Sequence, residues 1–155
     1  METRYPIHVA NYATMPNAPL HLAPAIRITD KIAKPRAQWT VDDLTALVRE
    51  EKVRIISLMH IGSDGWLKTL DFAPRDARHL RDVLLAGERA DGSSIFAGMG
   101  IPAGKSDIVL RPRLDSAFFD PFSPVPTLIL MCNHYGRDGN RLPESPDTIL
   151  NNANC

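Results

Sequence analysis

The chain has 155 residues, and its 18 Lys plus Arg balance its 18 Asp plus Glu, so its formal net charge is zero at pH 7. This length suits one domain, and the balanced charge excludes a strong general attraction for nucleic acid or anionic lipid. No apolar run approaches the roughly 20 residues of a membrane span, and the first residues lack the apolar core of a secretory signal. Cys132 and Cys155 do not indicate a disulfide framework, so we expect a cytoplasmic protein.

Residues 1–38 contain five of the thirteen prolines and no sustained apolar periodicity. This composition predicts an irregular, Pro-rich arm that lies outside the core. We therefore expect the folded domain to span residues 39–150, followed by a short tail over residues 151–155.

Thr40 and Asp43 have the types and spacing of a residue that caps a helix and an acid in the first turn. Four apolar residues then recur at helical spacing, which predicts a helix with one buried face. These residues are Val41, Leu44, Leu47 and Val48.

Residues 53–59 are rich in β-branched side chains and predict a largely buried strand. The sequence Gly-Ser-Asp-Gly at 62–65 is typical of a tight turn, and residues 66–72 then return as the second strand of a hairpin.

A second helix is expected to begin at Pro74, because proline is tolerated in the first helical turn. Leu80, Val83 and Leu84 form its apolar face, and Gly87 is expected to end it in a left-handed conformation. We expect His79 to be solvated or packed against neighbours. Because the five histidines are scattered and no CxxC pair occurs, no metal site is expected within this chain.

A long polar stretch follows, beginning with the sequence Asp-Gly-Ser-Ser at 91–94 and continuing through Gly98, Gly100 and Gly104. Such residues favour turns, and loops of this length are usually functional or disordered. Short apolar runs at 108–110, 116–119 and 127–132 predict three further strands. Residues 133–155 are polar, and we expect a turn there at Asp138 and Gly139.

The order of hairpin, helix and further strands predicts an α+β fold of the β-grasp type, with a ubiquitin-like mixed sheet and a helix packed across it.

The motifs over residues 91–122 resemble those of the amino-terminal domain of glutamine synthetase. The matching features are the DGSSI run at 91–95, a glycine-rich loop, Ser106 with Asp107, Leu110 with Pro112, and Asp120-Pro121-Phe122. The resemblance continues through residues 127–132 and into residues 146–150, so that it covers roughly residues 40–150. It implies the same β-grasp fold.

The resemblance also implies a role in glutamate–ammonia ligation. In that family ATP and Mg2+ or Mn2+ are bound by a large carboxy-terminal domain, which this sequence lacks, and no cofactor is expected on this chain alone. The amino-terminal domain lends its DGSS loop to the active site of a neighbouring subunit in a homo-oligomer.

By motif position, the carboxylate of that loop is Asp91. It would attract ammonium and help to take its proton, which makes Asp91 and Ser94 the candidate catalytic residues. The resemblance implies an ammonium-binding loop made of Asp91, Gly92, Ser93 and Ser94.

Four positions depart from the family pattern. Ala90 replaces a phenylalanine, Gly98 falls where an aromatic residue is expected unless Phe96 takes its place, Lys105 replaces an acid, and Arg113 replaces an aspartate. These changes affect loop packing and local charge rather than Asp91 itself. We expect the side chains of Arg111 and Arg113 to be solvated or salt-bridged.

Two alternatives remain open at this point. The chain could be a stand-alone β-grasp module that binds a synthetase or another protein, or an inactive remnant of a larger enzyme. In every case we expect the chain alone to lack ligase activity.

Overall fold

The structure is a computed structural model that describes residues 28–96 and 107–153. The helices in these ranges are α1 Ile28–Lys31, α2 Val41–Glu50, α3 Ala77–Ala86, α4 Gly92–Ile95 and α5 Pro146–Ala153. The strands are β1 Ile55–Ile61, β2 Leu67–Phe72, β3 Glu88–Asp91, β4 Asp107–Pro112, β5 Phe118–Phe119 and β6 Thr127–Tyr135. Single 3-10 turns occur at Arg36–Gln38 and Leu114–Ser116.

The strands form one mixed sheet in the order β2-β1-β6-β4-β3, and β5 also pairs with β6. The two central strands, β1 and β6, are parallel, with Leu58 opposite Leu130. The other neighbours are antiparallel. This mixed sheet with packed helices confirms the predicted α+β fold class.

Helix α2 begins where its capping residues predict. The Thr40 side chain accepts a hydrogen bond from the Asp43 backbone N–H, and the Asp43 carboxylate accepts one from the Thr40 backbone N–H at 2.9 Å. Each side chain therefore satisfies a backbone donor that the helix leaves unpaired. Hydrogen bonds from Lys34 and then from Thr40 stabilise the Asp43 carboxylate, which lowers the pKa of Asp43 to about 2.

Helix α3 begins later than the sequence predicts. Asp76, rather than Pro74, precedes the first helical residue, and its side chain accepts a hydrogen bond from the His79 backbone N–H at 2.8 Å. Gly87 ends the helix with φ of 86°, as expected of a glycine. The close approach of β4 adds a second reason for glycine, because a Cβ at Gly87 would lie 2.5 Å from the Leu110 carbonyl oxygen.

Helices α2 and α3 pack on one face of the sheet and form the core with it. All four apolar residues predicted for α2 are buried, as are the three predicted for α3. The strands contribute every second residue to this core: Ile56, Leu58, Ile108, Leu110, Leu128 and Leu130. The core is therefore a single layer between the two helices and the sheet.

The prediction that residues 1–38 lie outside the core is wrong for the part that the structure describes. Ile28 and Ile32 are buried members of the core cluster, and the Trp39 indole donates a hydrogen bond to the Lys34 carbonyl oxygen at 3.1 Å. Ile28 and Ile32 are four residues apart, but the stretch between Pro24 and Pro35 is too short to give a sustained periodic signal. Residues 1–27 lie outside the described residues.

The polar segments also contain more regular structure than the sequence predicts. Strand β6 continues to Tyr135, and residues 146–153 form α5 instead of a turn-rich tail. The expected turn at Asp138 and Gly139 is present, with φ of 79° at Gly139. Two exposed apolar residues, Ile149 and Leu150, weaken the amphipathic pattern of α5, which is why sequence reasoning missed it.

Candidate functional site

The sequence predicted that the DGSS segment, residues 91–94, would be a loop, but the structure shows regular elements there. Asp91 is the last residue of β3, and the three residues that follow begin α4. The rest of the predicted loop, residues 97–106, lies outside the described residues and includes Gly98, Gly100, Gly104 and Lys105. The segment is therefore a strand end joined directly to one helical turn.

The register of β3 sets the direction of Asp91. Ala90 lies opposite Ile108, which is buried in the core on the side of α2 and α3. Neighbouring strand residues point to opposite faces, so Asp91 points to the face that α2 and α3 do not cover. We call this side of the sheet the open face.

Hydrogen bonds within the segment hold the Asp91 carboxylate in place. Asp91 Oδ1 accepts a hydrogen bond from the Ser93 backbone N–H at 3.0 Å and lies 2.7 Å from the Ser93 hydroxyl. The Ser94 hydroxyl donates to the backbone carbonyl oxygen of Asp91 at 2.8 Å. Because Asp91, Ser93 and Ser94 are all exposed, the structure combines a fixed carboxylate with access from solvent.

The far end of α4 is anchored in the core. Ile95 and Phe96 are buried, and the Phe96 backbone N–H donates to the Gly92 carbonyl oxygen at 2.8 Å. The Ile95 carbonyl oxygen accepts a hydrogen bond from the Ser63 backbone N–H, in the β1–β2 turn, at 3.2 Å. The exposed carboxylate is thus connected to the interior through only four residues of chain.

An arginine, Arg89, lies close to the DGSS segment in the same strand, β3. Arg89 Nη2 is 2.7 Å from Asp107 Oδ2, and Asp107 lies opposite Asp91 in the β3–β4 register. Arg137 Nη1 is 3.7 Å from the same Asp107 oxygen. The open face next to Asp91 is therefore charged, with both signs present.

The part of the open face that lies towards β1 and β5 is apolar. A groove of about 880 Å³ lies there and is lined by residues that include Met59, Leu67, Phe118 and Ile129. Leu67 is 52% exposed and Phe122, at the rim, is 92% exposed. Large apolar side chains that remain exposed together are typical of a surface that another protein covers.

Arg111 and Arg113 do not form an anion-binding site together, because each has a different partner. The Arg111 guanidinium lies 4.2 Å from the centre of the Tyr135 ring, and Arg113 Nε lies 3.5 Å from Asp115 Oδ1. Arg113 is thus salt-bridged, as expected, whereas Arg111 stacks on an aromatic ring.

Among residues 28–96 and 107–153, no group of three or more His, Cys, Asp or Glu side chains could hold a metal ion. The same ranges contain no helix that is both long and apolar enough to cross a membrane. Cys132 is a buried free thiol, and burial raises its pKa to about 12.

Comparison with known proteins gives this fold a family. The sequence profile described as "Glutamine synthetase, beta-Grasp domain" matches residues 52–136, which is more than half of the chain. The chain belongs to this family. Both the recognition from the DGSSI motif and the β-grasp prediction are therefore confirmed.

Curated relatives of this β-grasp domain include a glutamine synthetase of Pseudomonas aeruginosa, 38% identical over 88 residues, which are 56% of this chain and 18% of the relative. Another is the 3-hydroxylaminophenol mutase of Cupriavidus pinatubonensis, 32% identical over 115 residues, which are 74% of this chain and 24% of the relative. The chain thus spans about a quarter or less of the length of these relatives.

Solved structures have the same fold. "Apo GmaS without ligand" aligns with a TM-score of 0.60 at 19% identity and covers 70% of this chain and 24% of that chain. The Plasmodium falciparum glutamine synthetase aligns with a TM-score of 0.60 at 17% identity and covers 74% of this chain and 22% of that chain. At this identity the likeness concerns the fold of the β-grasp domain alone.

The domain also contains a polar cluster that sequence reasoning missed. His60 in β1 and His134 in β6 are buried, with 3.1 Å between His60 Nδ1 and His134 Nε2. On its other side, His134 Nδ1 lies 2.7 Å from Ser145 Oγ and 3.2 Å from Asp147 Oδ1. The histidines are thus not all scattered. The available signal was their position on the alternating, buried face of each strand.

His79 has the packing role expected from the sequence. Its ring lies against Phe72, with 5.6 Å between the ring centroids, and its Nδ1 accepts a hydrogen bond from the Arg75 backbone N–H at 3.2 Å.

Proposed function

We propose that this chain is the β-grasp portion of a glutamate–ammonia ligase and that Asp91 completes the ammonium site of a neighbouring subunit. One observation carries the proposal: the exposed Asp91 carboxylate points to the open face and is held there by Ser93. A carboxylate held at a fixed position attracts a cation without first having to reorganise, which is the basis of electrostatic catalysis. Its negative charge suits ammonium.

The open face explains how another subunit would meet this carboxylate. The apolar groove and Asp91 belong to the same side of the sheet, the groove towards β1 and β5 and Asp91 at the β3 edge. A large domain seated on the groove would lie next to the DGSS segment. Burial of the exposed Leu67 and Phe122 would contribute to that association.

In this proposal Asp91 has two tasks. It attracts NH4+ from solvent into the site between the subunits, and it helps to accept the proton whose loss turns ammonium into nucleophilic ammonia. Ser94 has a supporting role, because its hydroxyl donates to the Asp91 carbonyl oxygen and so maintains the turn that presents the carboxylate. Gly92 and Ser93 complete the segment.

We propose that this chain itself binds neither ATP nor a divalent metal ion. Mg2+ requires clustered oxygen ligands, and within the described ranges no group of three or more candidate side chains could hold a metal. In the complete enzyme those groups would therefore be bound by the large domain. We accordingly propose that this chain alone does not catalyse ligation and that the complete protein is a homo-oligomer.

The proposal is tested by joining this chain to the large domain of the Pseudomonas aeruginosa glutamine synthetase. In the active joined protein, Asp91→Asn should lower kcat/KM for ammonium by roughly 100-fold or more, the loss typical of one preorganised electrostatic group. ATP binding should be unchanged, and Ser94→Ala should give a smaller loss. Asp82→Asn is the matched control, since Asp82 is an exposed carboxylate on α3. An unchanged ammonium dependence in Asp91→Asn would exclude this role.

Subunit mixing tests whether the site is shared. Asp91→Asn subunits would be mixed with subunits inactivated in the large domain, so that some junctions combine two intact halves. Recovered activity supports a shared site. No recovery in well-mixed oligomers would mean that the segment serves its own subunit.

The apolar open face also supports a second candidate function, a stand-alone module that binds another protein. The names of the two curated relatives cover both a synthetase and a mutase, so family membership alone does not decide the reaction. The module hypothesis predicts that the unmodified chain binds an intact synthetase oligomer, measured by analytical ultracentrifugation. An inactive remnant would neither bind such an oligomer nor support activity when joined to a large domain.

A further inference from the structure

The buried histidine pair, His60 and His134, lies next to Phe96, the residue directly after α4. The two rings are edge to face, with 5.1 Å between centroids, and the facing nitrogens are within hydrogen-bond distance. His134 is 1% exposed and His60 is 3% exposed. A polar pair so deeply buried costs free energy unless it is hydrogen-bonded, so the pair needs a consistent set of donors and acceptors.

The hydrogen-bond partners of the two histidines favour one assignment of donors and acceptors. Asp147 is an acceptor, so it favours a hydrogen on His134 Nδ1, which then leaves His134 Nε2 as an acceptor. Nδ1 of His60 can therefore donate to His134 Nε2. Ser145 lies between the other partners, within hydrogen-bond distance of both His134 and Asp147.

Each histidine is connected to the DGSS segment by a separate route. The ring of His134 contacts Phe96, the residue directly after α4, with 4.9 Å between centroids. His60 belongs to β1, which leads within three residues to Ser63, and both the backbone N–H and the hydroxyl of Ser63 lie within hydrogen-bond distance of the Ile95 carbonyl oxygen. The two routes meet at the end of α4.

We propose that His60 and His134 act together as positioning residues that fix residues 91–96 against the sheet. Movement of either ring would shift Phe96 or the β1–β2 turn, and with it the end of α4. The consequence for ammonium binding rests on the proposed function of Asp91, whereas the positioning itself is a property of this chain.

A positioning role of the histidine pair should depend on pH, whereas a role in packing alone should not. The contact tolerates one hydrogen between the facing nitrogens, but hydrogens on both nitrogens would repel each other and open it. Burial, followed by the nearby charges of His134 and Lys68, lowers the pKa of His60 to about 4. We therefore expect the uptake of a proton by His60 to alter the hydrogen bonding of this contact.

Other charged and titratable groups lie near the histidine pair and must be distinguished from His60 in a pH titration. Lys68 lies opposite His60 in the β1–β2 register. Arg141 Nη1 is 3.6 Å from Asp147 Oδ2, which is an ion-pair distance but too long for a hydrogen bond. Further titratable groups on these elements and the segment that follows β6 include Asp71 of β2, Tyr135 of β6, Glu144 beside Ser145, and the thiol of Cys132, whose raised pKa keeps it neutral in acid.

The test is an NMR titration of the full chain from pH 8 to pH 3.5. We expect the backbone amide signals of Ser63 and Phe96 to shift with the same midpoint as the His60 ring signals, while the Val48 signal in α2 stays in place. His60→Gln should abolish this transition at both amides, because glutamine does not titrate.

Hydrogen exchange gives a second measurement at neutral pH. His134→Gln should speed exchange of the Ser63 and Phe96 amides by about tenfold, the effect of losing one buried hydrogen bond. His79→Gln is the matched control and should leave both rates unchanged, because His79 packs elsewhere, on Phe72. If His134→Gln does not fold, the titration of the unmodified chain decides the question.

Two results would overturn the inference. One is a Ser63 or Phe96 amide that does not follow the titration of His60, and the other is a transition shared by Val48, which would report global unfolding. These measurements need no ammonium assay. If the positioning holds but Asp91→Asn leaves ammonium use unchanged, the proposed function alone fails.

Discussion

The Phe96 ring meets the His134 ring edge-on, with 4.9 Å between centroids and 77° between the ring planes. This contact places the end of an exposed, polar segment on a buried, polar side chain. Edge-to-face packing of this kind contributes stability beyond the area that it buries. Phe96 should therefore contribute both to the stability of the fold and to the position of the DGSS segment.

Replacing Phe96 with alanine should lower the free energy of unfolding by about 3–5 kcal/mol, because the substitution leaves a cavity in the core. Phe122→Ala is the matched control. Since Phe122 is 92% exposed, its loss should change stability by less than about 0.5 kcal/mol. Urea unfolding followed by circular dichroism measures both variants. Equal effects would contradict the burial of Phe96.

The contribution of the reciprocal Thr40–Asp43 cap of α2 to the free energy of unfolding should be measurable. Thr40→Ala removes the hydroxyl that accepts a hydrogen bond from the Asp43 backbone N–H, and it should cost about 1 kcal/mol. Thr45→Ala, within the same helix, removes only a hydroxyl bonded to the Val41 carbonyl oxygen, and it should be neutral or slightly stabilising. The same urea experiment compares the two. A larger loss for Thr45→Ala than for Thr40→Ala would show that the cap is unimportant.

Stability should depend on pH through His60. Its pKa is about 4 in the folded protein, below the ordinary histidine pKa of 6.5. Between these values the unfolded chain binds more protons, so stability is full above about pH 6.5 and falls as the pH is lowered towards 4, by at most about 1.4 kcal/mol per pH unit for this one group. Thermal unfolding across this range should give a shallower slope for His60→Gln. An unchanged slope would assign the acid sensitivity to other groups.

Cys132 should be unreactive in the folded protein. Burial raises the pKa of its thiol to about 12, so almost none of the reactive thiolate is present at pH 8. In the Cys155→Ser variant, a thiol reagent such as dithionitrobenzoate should label Cys132 slowly in buffer and rapidly in denaturant. Fast labelling of the native protein would mean that β6 opens readily near Cys132.

The unmodified chain should have no ligase activity. Its described residues offer no cluster of three or more side chains for a metal ion, and the chain spans only 18% of a synthetase relative. The assay is glutamine formation from glutamate, ammonium, ATP and Mg2+. Turnover clearly above a protein-free control would contradict the proposed division of labour between the domains.

Much of this domain could be predicted from local sequence. The Thr40 cap and the apolar stripe of α2 act over one or two helical turns, and the glycines of the β1–β2 turn act over four residues, so the sequence contains the full signal. The ordered motifs around DGSSI identified the family for a similar reason. The order of these motifs along the chain is typical of one family and therefore of that family's strand arrangement.

Other features depended on contacts between distant residues. Ile28 and Ile32 are too few to be recognised as core residues from the sequence, and only the fold brings Ile28 near Phe118 of β5 and Ile32 near Leu47 of α2. The polar tail contains α5, which contacts β6 where Asp147 Oδ1 lies 3.2 Å from His134 Nδ1. In both cases tertiary contacts overrode a local composition that favours irregular structure.

The sequence by itself determined α2 and the apolar face of α3, the hairpin, the family and the identity of Asp91 as the candidate carboxylate. Only the tertiary structure decided that Asp91 ends a strand and points to the open face, because strand register depends on pairing with β4. It also brought together His60 and His134, which are 74 residues apart. No local pattern encodes such a pair, since it forms only when β1 and β6 align side by side in the sheet.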